Sequence, residues 1–154
     1  MAIDIGIETA ARKKIVGGLE QVLADTYSLY AKTHGYHWNV EGPRFNSLHL
    51  MFETQYNELW TALDLIAERI RSLGEYAPFG EQIGAKSTVK SDNGVPNAEQ
   101  MIANLVIGNE TVVKSARSAL KAAEEAGDQA TADLMTQRVA AGEKAAWMLR
   151  AQLA

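Results

Sequence analysis

No cysteine occurs in the 154 residues, which removes disulfides and thiolate-bound metals together. Its absence is compatible with a reducing compartment, and a cytoplasmic location is the expectation. No apolar run approaches the roughly 20 residues that cross a bilayer, so no membrane partner is expected. The opening Met1-Ala2-Ile3-Asp4-Ile5-Gly6-Ile7-Glu8 carries acid and lacks the basic region and apolar core of a signal peptide. Neither charge sign dominates: 15 Lys and Arg face 19 Asp and Glu. Strong electrostatic attraction to nucleic acid is therefore not the default. Internal repeats and low-complexity segments are also missing, and the length suits one domain spanning residues 1–154.

What remains is rich in helix formers, with 47% hydrophobic residues to fill a core. Four long helical stretches stand out. In the first, from about Glu8 to His37, Ile15, Leu19, Val22, Leu23, Thr26, Leu29 and Tyr30 recur at helical spacing. A turn over Asn39–Pro43 follows. The second runs from about Asn46 to Leu73 and stops at Gly74. Residues 74–96 form a long connection with room for a short helical turn near Phe79–Ile83. Asn97 and Gln100 have capping-box spacing for a third helix, which reaches about Ala126 with Gly127 at its C′ position. Asp128 suits the cap of a fourth, reaching about Leu153. Two tight connections flanking one long crossover predict an all-α, ferritin-like four-helix bundle with helix three parallel to helix two.

The three histidines, His34, His37 and His49, cluster around the first turn. Farther along helix two, Asp64 and Glu68 share a face at a spacing of four. Imidazoles with carboxylates suit a redox-active metal such as iron. His49 and Asp64 are fifteen positions apart on one helix, about 22 Å at ~1.5 Å per residue, so one helix cannot bring both to one metal. Two copies of helix two, crossing antiparallel near Asn57–Glu58, would do so and would give two equivalent sites. A site inside one bundle needs Glu-x-x-His pairs, and the sequence has none.

The run Lys32-Thr33-His34-Gly35-Tyr36-His37-Trp38-Asn39-Val40-Glu41-Gly42-Pro43-Arg44-Phe45-Asn46-Ser47-Leu48-His49 resembles the signature of the Dps family, the mini-ferritins or DNA-binding proteins from starved cells. The run Leu63-Asp64-Leu65-Ile66-Ala67-Glu68-Arg69-Ile70 resembles its second motif, and the likeness extends over nearly the whole chain. The resemblance implies a dodecameric shell that oxidises Fe²⁺, preferentially with hydrogen peroxide, at a di-iron site on the two-fold interface and stores ferric mineral, protecting DNA. By position His37 and His49 serve one side of that site and Asp64 and Glu68 the other. Glu53 stands where the family often has Asp and is a further candidate ligand. His34 falls outside the core ligand set and is read first as a structural partner and second as a ligand or proton shuttle.

Trp38 and Trp60 flank the site, with packing as the first reading and radical trapping as the second. Met51 is read as packing, and no haem is expected. The resemblance also implies a pore at a three-fold axis around the turn into helix four, where Glu124 and Asp133 are the candidate pore residues and Asp128 serves first as a cap. The runner-up function is a nucleoid protein that binds and compacts DNA directly. Its only basic cluster near the start is Arg12-Lys13-Lys14.

Overall fold

Local signals set the helix limits in the computed structural model, which describes residues 1–154. The elements are α1 (Thr9–Asn39), α2 (Phe45–Ser72), α3 (Ala98–Glu125) and α4 (Gln129–Ala151). Asn97 caps α3 with the full capping box: its side chain accepts from the Gln100 N–H, and the Gln100 side chain accepts from its own N–H. Gly127, at φ +70, ends α3. The Gly127 and Asp128 N–H groups return to the carbonyls of Glu124 and Ala123, a Schellman closure that needs the left-handed residue. Asp128 then caps α4 through the Thr131 N–H.

Three limits differ from the sequence reading. Helix α1 continues past His37 to Asn39, whose side chain donates to the Gly35 carbonyl and secures the last turn. Helix α4 stops at Ala151, because the N–H groups of Gln152 and Leu153 tighten onto Leu149 and Arg150 instead of continuing the α ladder. The short helix expected near Phe79–Ile83 is a lone 3-10 turn, Gly80–Gln82.

Side-chain pairings fix the topology. Along α1, Lys14, Gly18, Asp25 and Tyr36 meet Glu125, Ala119, Ser115 and Asn104 of α3, so the two helices are antiparallel. His37 meets His49, so α1 and α2 are also antiparallel, and α2 and α3 run parallel across the crossover. Helix α4 returns along α3, with Gly142 so close that a Cβ would lie 2.6 Å from Val113. Helices α2 and α4 touch only slightly, and the diagonal pairs α1 with α4 and α2 with α3 do not touch.

Two apolar clusters fill the ends of the bundle. One centres on Ile15, Leu19, Ile66, Ile70 and Met135; the other on Leu29, Phe52, Met101, Leu105 and Leu149. A polar belt separates them. Within it the buried Arg138 forks onto both carboxylate oxygens of Glu58. Asp25, fully buried, accepts from Ser115, from Gln21 and from Ser87 and Thr88 of the crossover. Asp92 of the crossover in turn accepts from Tyr36, Lys32 and Asn104. Two accepting carboxylates, Asp25 on α1 and Asp92 on the crossover, thus tie the long connection into the groove between α1 and α3.

Candidate metal centre

The turn after α1 brings His37 and His49 face to face, with ring centroids 3.7 Å apart and planes within 14°. Each Nδ1 lies 2.7 Å from the backbone carbonyl of the other residue. A carbonyl can only accept, so each Nδ1 carries its proton and donates. Each Nε2 is then the lone-pair nitrogen that a metal needs. Phe45, at the start of α2, stacks on His49 at 5.0 Å. His37 is buried and His49 half-buried. Two imidazoles are therefore fixed in tautomer and orientation by one reciprocal pair of hydrogen bonds.

A ring cluster surrounds this pair. His34 lies between Tyr56, stacked at 3.9 Å, and Trp38 at 4.2 Å. Its Nδ1 is 3.1 Å from the Tyr30 hydroxyl. Burial, and secondarily the nearby His37, hold His34 below the ordinary imidazole range. Burial, with Tyr56 and Tyr27 adding to it, pushes the Tyr30 hydroxyl up. Tyr30 also packs on Trp60 at 5.4 Å. Trp38 and Trp60 nevertheless leave 66% and 60% of their surfaces exposed in the single chain, more than core packing would leave. Met51 packs against the apolar cluster around Phe52, as a packing residue should.

Asp64 and Glu68 sit at the other end of α2, exposed and without an ion pair or side-chain hydrogen bond inside the chain. Because α2 is unbroken from Phe45 to Ser72, the chain does not bring these carboxylates to the histidines. Glu53 is half-buried, one turn after His49. No three His, Asp or Glu side chains of the chain converge on one metal position. Beside Asp64 an open groove of about 490 Å³ is lined by Leu23, Tyr27, Trp60, Leu63 and Pro78.

The interior of the bundle offers no alternative. In its middle the Glu58 carboxylate is taken by the buried Arg138 and the Asp25 carboxylate by Ser115, Gln21, Ser87 and Thr88. Around the turn into α4, Glu124 and Asp133 are exposed, and Asp133 accepts from Gln137. Asp128 is buried and bound to Thr131 and to Arg69 at 2.8 Å. Of the basic cluster, Arg12 donates to the Ile7 carbonyl at 2.6 Å and Lys14 pairs with Glu125. Sequence reasoning missed the Tyr30–His34 contact, although its spacing of four on one helix is a readable signal. It also missed Asp25, Asp92 and Arg138, whose partners lie far off in the chain.

The ferritin-like domain family matches residues 16–154. A DNA protection during starvation protein of Brevibacillus brevis is 34% identical over 149 residues, covering 96% of this chain and 99% of the relative. The chain belongs to the Dps family. This Dps chain is also similar to an uncharacterized low temperature-induced protein of Nostoc sp., 42% identical over 152 residues and covering 96% and 84% of the two chains. The Dps protein of Vibrio cholerae O1, described as a member of a broad superfamily of ferritin-like diiron-carboxylate proteins, superposes with a TM-score of 0.93 at 31% identity, covering 100% and 98% of the chains.

Proposed function

We propose that two copies of this chain cross α2 on α2 near Asn57–Glu58 and so complete two ferroxidase sites. Each site takes His37 and His49 from one copy and Asp64 and Glu68 from the other. The observation that carries this reading is the divided ligand set: a locked imidazole pair at one end of α2 and free carboxylates at the other, on an unbroken helix. The exposed Leu50, Trp60 and Leu65 on α2 give that crossing an apolar surface to bury.

In this reading Fe²⁺ is the substrate. The two Nε2 lone pairs bind it as neutral ligands, and the partner's carboxylates offset the charge that grows as each iron gives up an electron. Two Fe²⁺ supply the two electrons that convert one hydrogen peroxide, with two protons, to water. Glu53 is placed to reach a second iron directly or through water. The assembly is a twelve-subunit shell that stores ferric mineral in the cytoplasm or at the nucleoid, keeping iron and peroxide away from DNA. Direct DNA binding finds less support, because Arg12 and Lys14 are already engaged within the chain.

Complementation tests the shared site. A His37→Ala/His49→Ala chain and an Asp64→Ala/Glu68→Ala chain are each inactive. Dissociated and reassembled together, they form mixed dimers with one intact site of the two, so peroxide-driven oxidation of Fe²⁺ returns. Mixed shells that co-assemble yet stay inactive would overturn the proposal.

A further inference from the structure

Helices α2 and α4 pack loosely, and the small residues Ala141 and Ala145 of α4 leave a groove of about 380 Å³ between them. Three polar atoms of its lining residues are buried and have no partner in the chain: Oε1 and Nε2 of Gln55, and Nε of Arg138. Buried polar atoms are nearly always paired, so three orphans on one groove point to a ligand. Arg138 is only 6% exposed. Its Nη1 and Nη2 groups go to Glu58, which leaves the Nε–H edge of the guanidinium free. Lys144 also lines the groove and pairs with no carboxylate of the chain. Arg138 and Lys144 against Glu58 thus leave one positive charge unbalanced. Leu59, Val112 and Met148 complete the walls with apolar surface. The groove is separate from the histidine pair. Glu58 and Trp60 are two positions apart on α2, roughly 200° around a helix, so the groove opens opposite the face on which Trp60 meets Tyr30 of α1.

We propose that the groove between α2 and α4 binds a small aliphatic carboxylate that carries a hydroxyl group. The carboxylate accepts from the Arg138 Nε–H and from Gln55 Nε2, and the Lys144 ammonium balances its charge. The hydroxyl donates to Gln55 Oε1. The aliphatic part packs on Leu59, Val112 and Met148. Each feature of the ligand answers one feature of the groove. An inorganic oxyanion would satisfy the free donors but leave the Oε1 acceptor and the apolar walls unused. An aliphatic acid without a hydroxyl would leave Oε1 buried and unpaired, and a site built to bond a hydroxyl rejects the analogue that lacks it. The site uses neither iron nor any of the ferroxidase ligands, so it is independent of that reading.

Calorimetry on the iron-free, assembled protein tests this with three probes at equal ionic strength. 2-Hydroxy-4-methylpentanoate has the carboxylate, the hydroxyl and the tail; 4-methylpentanoate lacks the hydroxyl, and inorganic phosphate lacks the tail. The hydroxy acid is expected to bind saturably, and about tenfold or more tighter than either of the others, the scale of one charged or buried hydrogen bond. Gln55→Leu keeps the volume and removes both orphan amide atoms. It should therefore fold and assemble normally, by thermal unfolding and by size, yet weaken the hydroxy acid by about tenfold or more. Ala145→Phe fills the groove and should abolish binding. Absence of saturable binding by the hydroxy acid would overturn the proposal, as would affinity that Gln55→Leu leaves unchanged. Phosphate or 4-methylpentanoate binding as tightly as the hydroxy acid would overturn the assigned class of ligand.

Discussion

The two ends of α2, which the proposed dimer would bring together, are built in opposite ways. At its start, His49 is held by the His37 carbonyl, by the stacked His37 ring and by Phe45. Toward its end, Asp64 and Glu68 project into solvent with nothing in their own chain to hold them. A preformed imidazole pair binds metal with little reordering of the ligands. In the proposed site, exposed carboxylates would cost ordering on binding but would adjust as the charge on iron changes. The division also has a control consequence in the proposed dimer: a lone chain carries only half-sites, so oxidation is confined to the assembled state, where the product has somewhere to go.

The sharpest way to break this comparison is to damage each end and read activity and stability together. Asp64→Asn/Glu68→Gln is expected to slow Fe²⁺ oxidation by more than about a hundredfold, since loss of outer-shell partners alone costs 10–100-fold at metal sites. Stopped-flow absorbance with peroxide reads that rate. Thermal unfolding should move little, within about 0.5 kcal/mol, as for exposed unpaired residues. His37→Ala should lose as much activity and in addition destabilise the fold by about 1–3 kcal/mol, because the His49 carbonyl is left without its donor. Equal stability of the two variants would mean that the histidine end is no more built than the carboxylate end.

Legibility in the sequence followed the range of the interactions. The Asn97–Gln100 box, the Gly127 closure and the Asp128 cap are local, and all three formed where the spacing put them. The proximity of His37 and His49 was legible because a short turn leaves few alternatives. Their reciprocal carbonyl bonds were not, since these depend on how far α1 runs beyond His37, and it runs to Asn39. The polar belt was hidden for a different reason. Arg138 and Glu58 are 80 residues apart, and Asp25 and Ser115 are 90 apart. Periodicity registers such residues only as polar interruptions of an apolar stripe. The exposure of Trp38 and Trp60 was likewise beyond the sequence, because aromatic rings read alike whether a core or a second copy is to cover them.

A smaller effect separates structural acid from functional acid at the turn into α4. Burial alone would raise the Asp128 carboxyl, but the Thr131 hydroxyl, the Thr131 N–H and the Arg69 guanidinium together hold it below its ordinary value. A carboxyl depressed in the folded state stabilises the fold above its unfolded pKa. That contribution is lost as pH falls through the folded value. Asp128→Asn keeps the cap but loses the charge. The native chain should therefore be the more stable at neutral pH, by about 2 kcal/mol on the scale of a charged hydrogen bond, and the gap should close on acidification below the carboxylate range. Thermal unfolding across a pH series checks this. A gap that stays constant with pH would show that the Arg69 pair contributes nothing.

The mildest expectation concerns Glu124 and Asp133, which share that turn with Asp128 but not its burial. Glu124 lies in the last turn of α3 and Asp133 in the first turns of α4, and both side chains are exposed. In a three-fold arrangement each charge would be repeated three times around one opening, and carboxylates around low-dielectric walls raise the local concentration of cations. The attraction is long-ranged and screened by salt, fading beyond about 8 Å at physiological ionic strength. Glu124→Gln/Asp133→Asn should therefore slow iron uptake severalfold at limiting Fe²⁺ and low salt, and hardly at all at saturating iron or high salt. Iron affinity at the proposed ferroxidase site, read by calorimetry, should not change, because Asp64 and Glu68 are untouched. The variants also sharpen the contrast along α2: if they altered affinity rather than uptake, the carboxylate end would not be the only acidic half of the site. Unchanged uptake at limiting iron, with the shell intact by size, would remove Glu124 and Asp133 from the iron path and leave the divided ligand set where it stands.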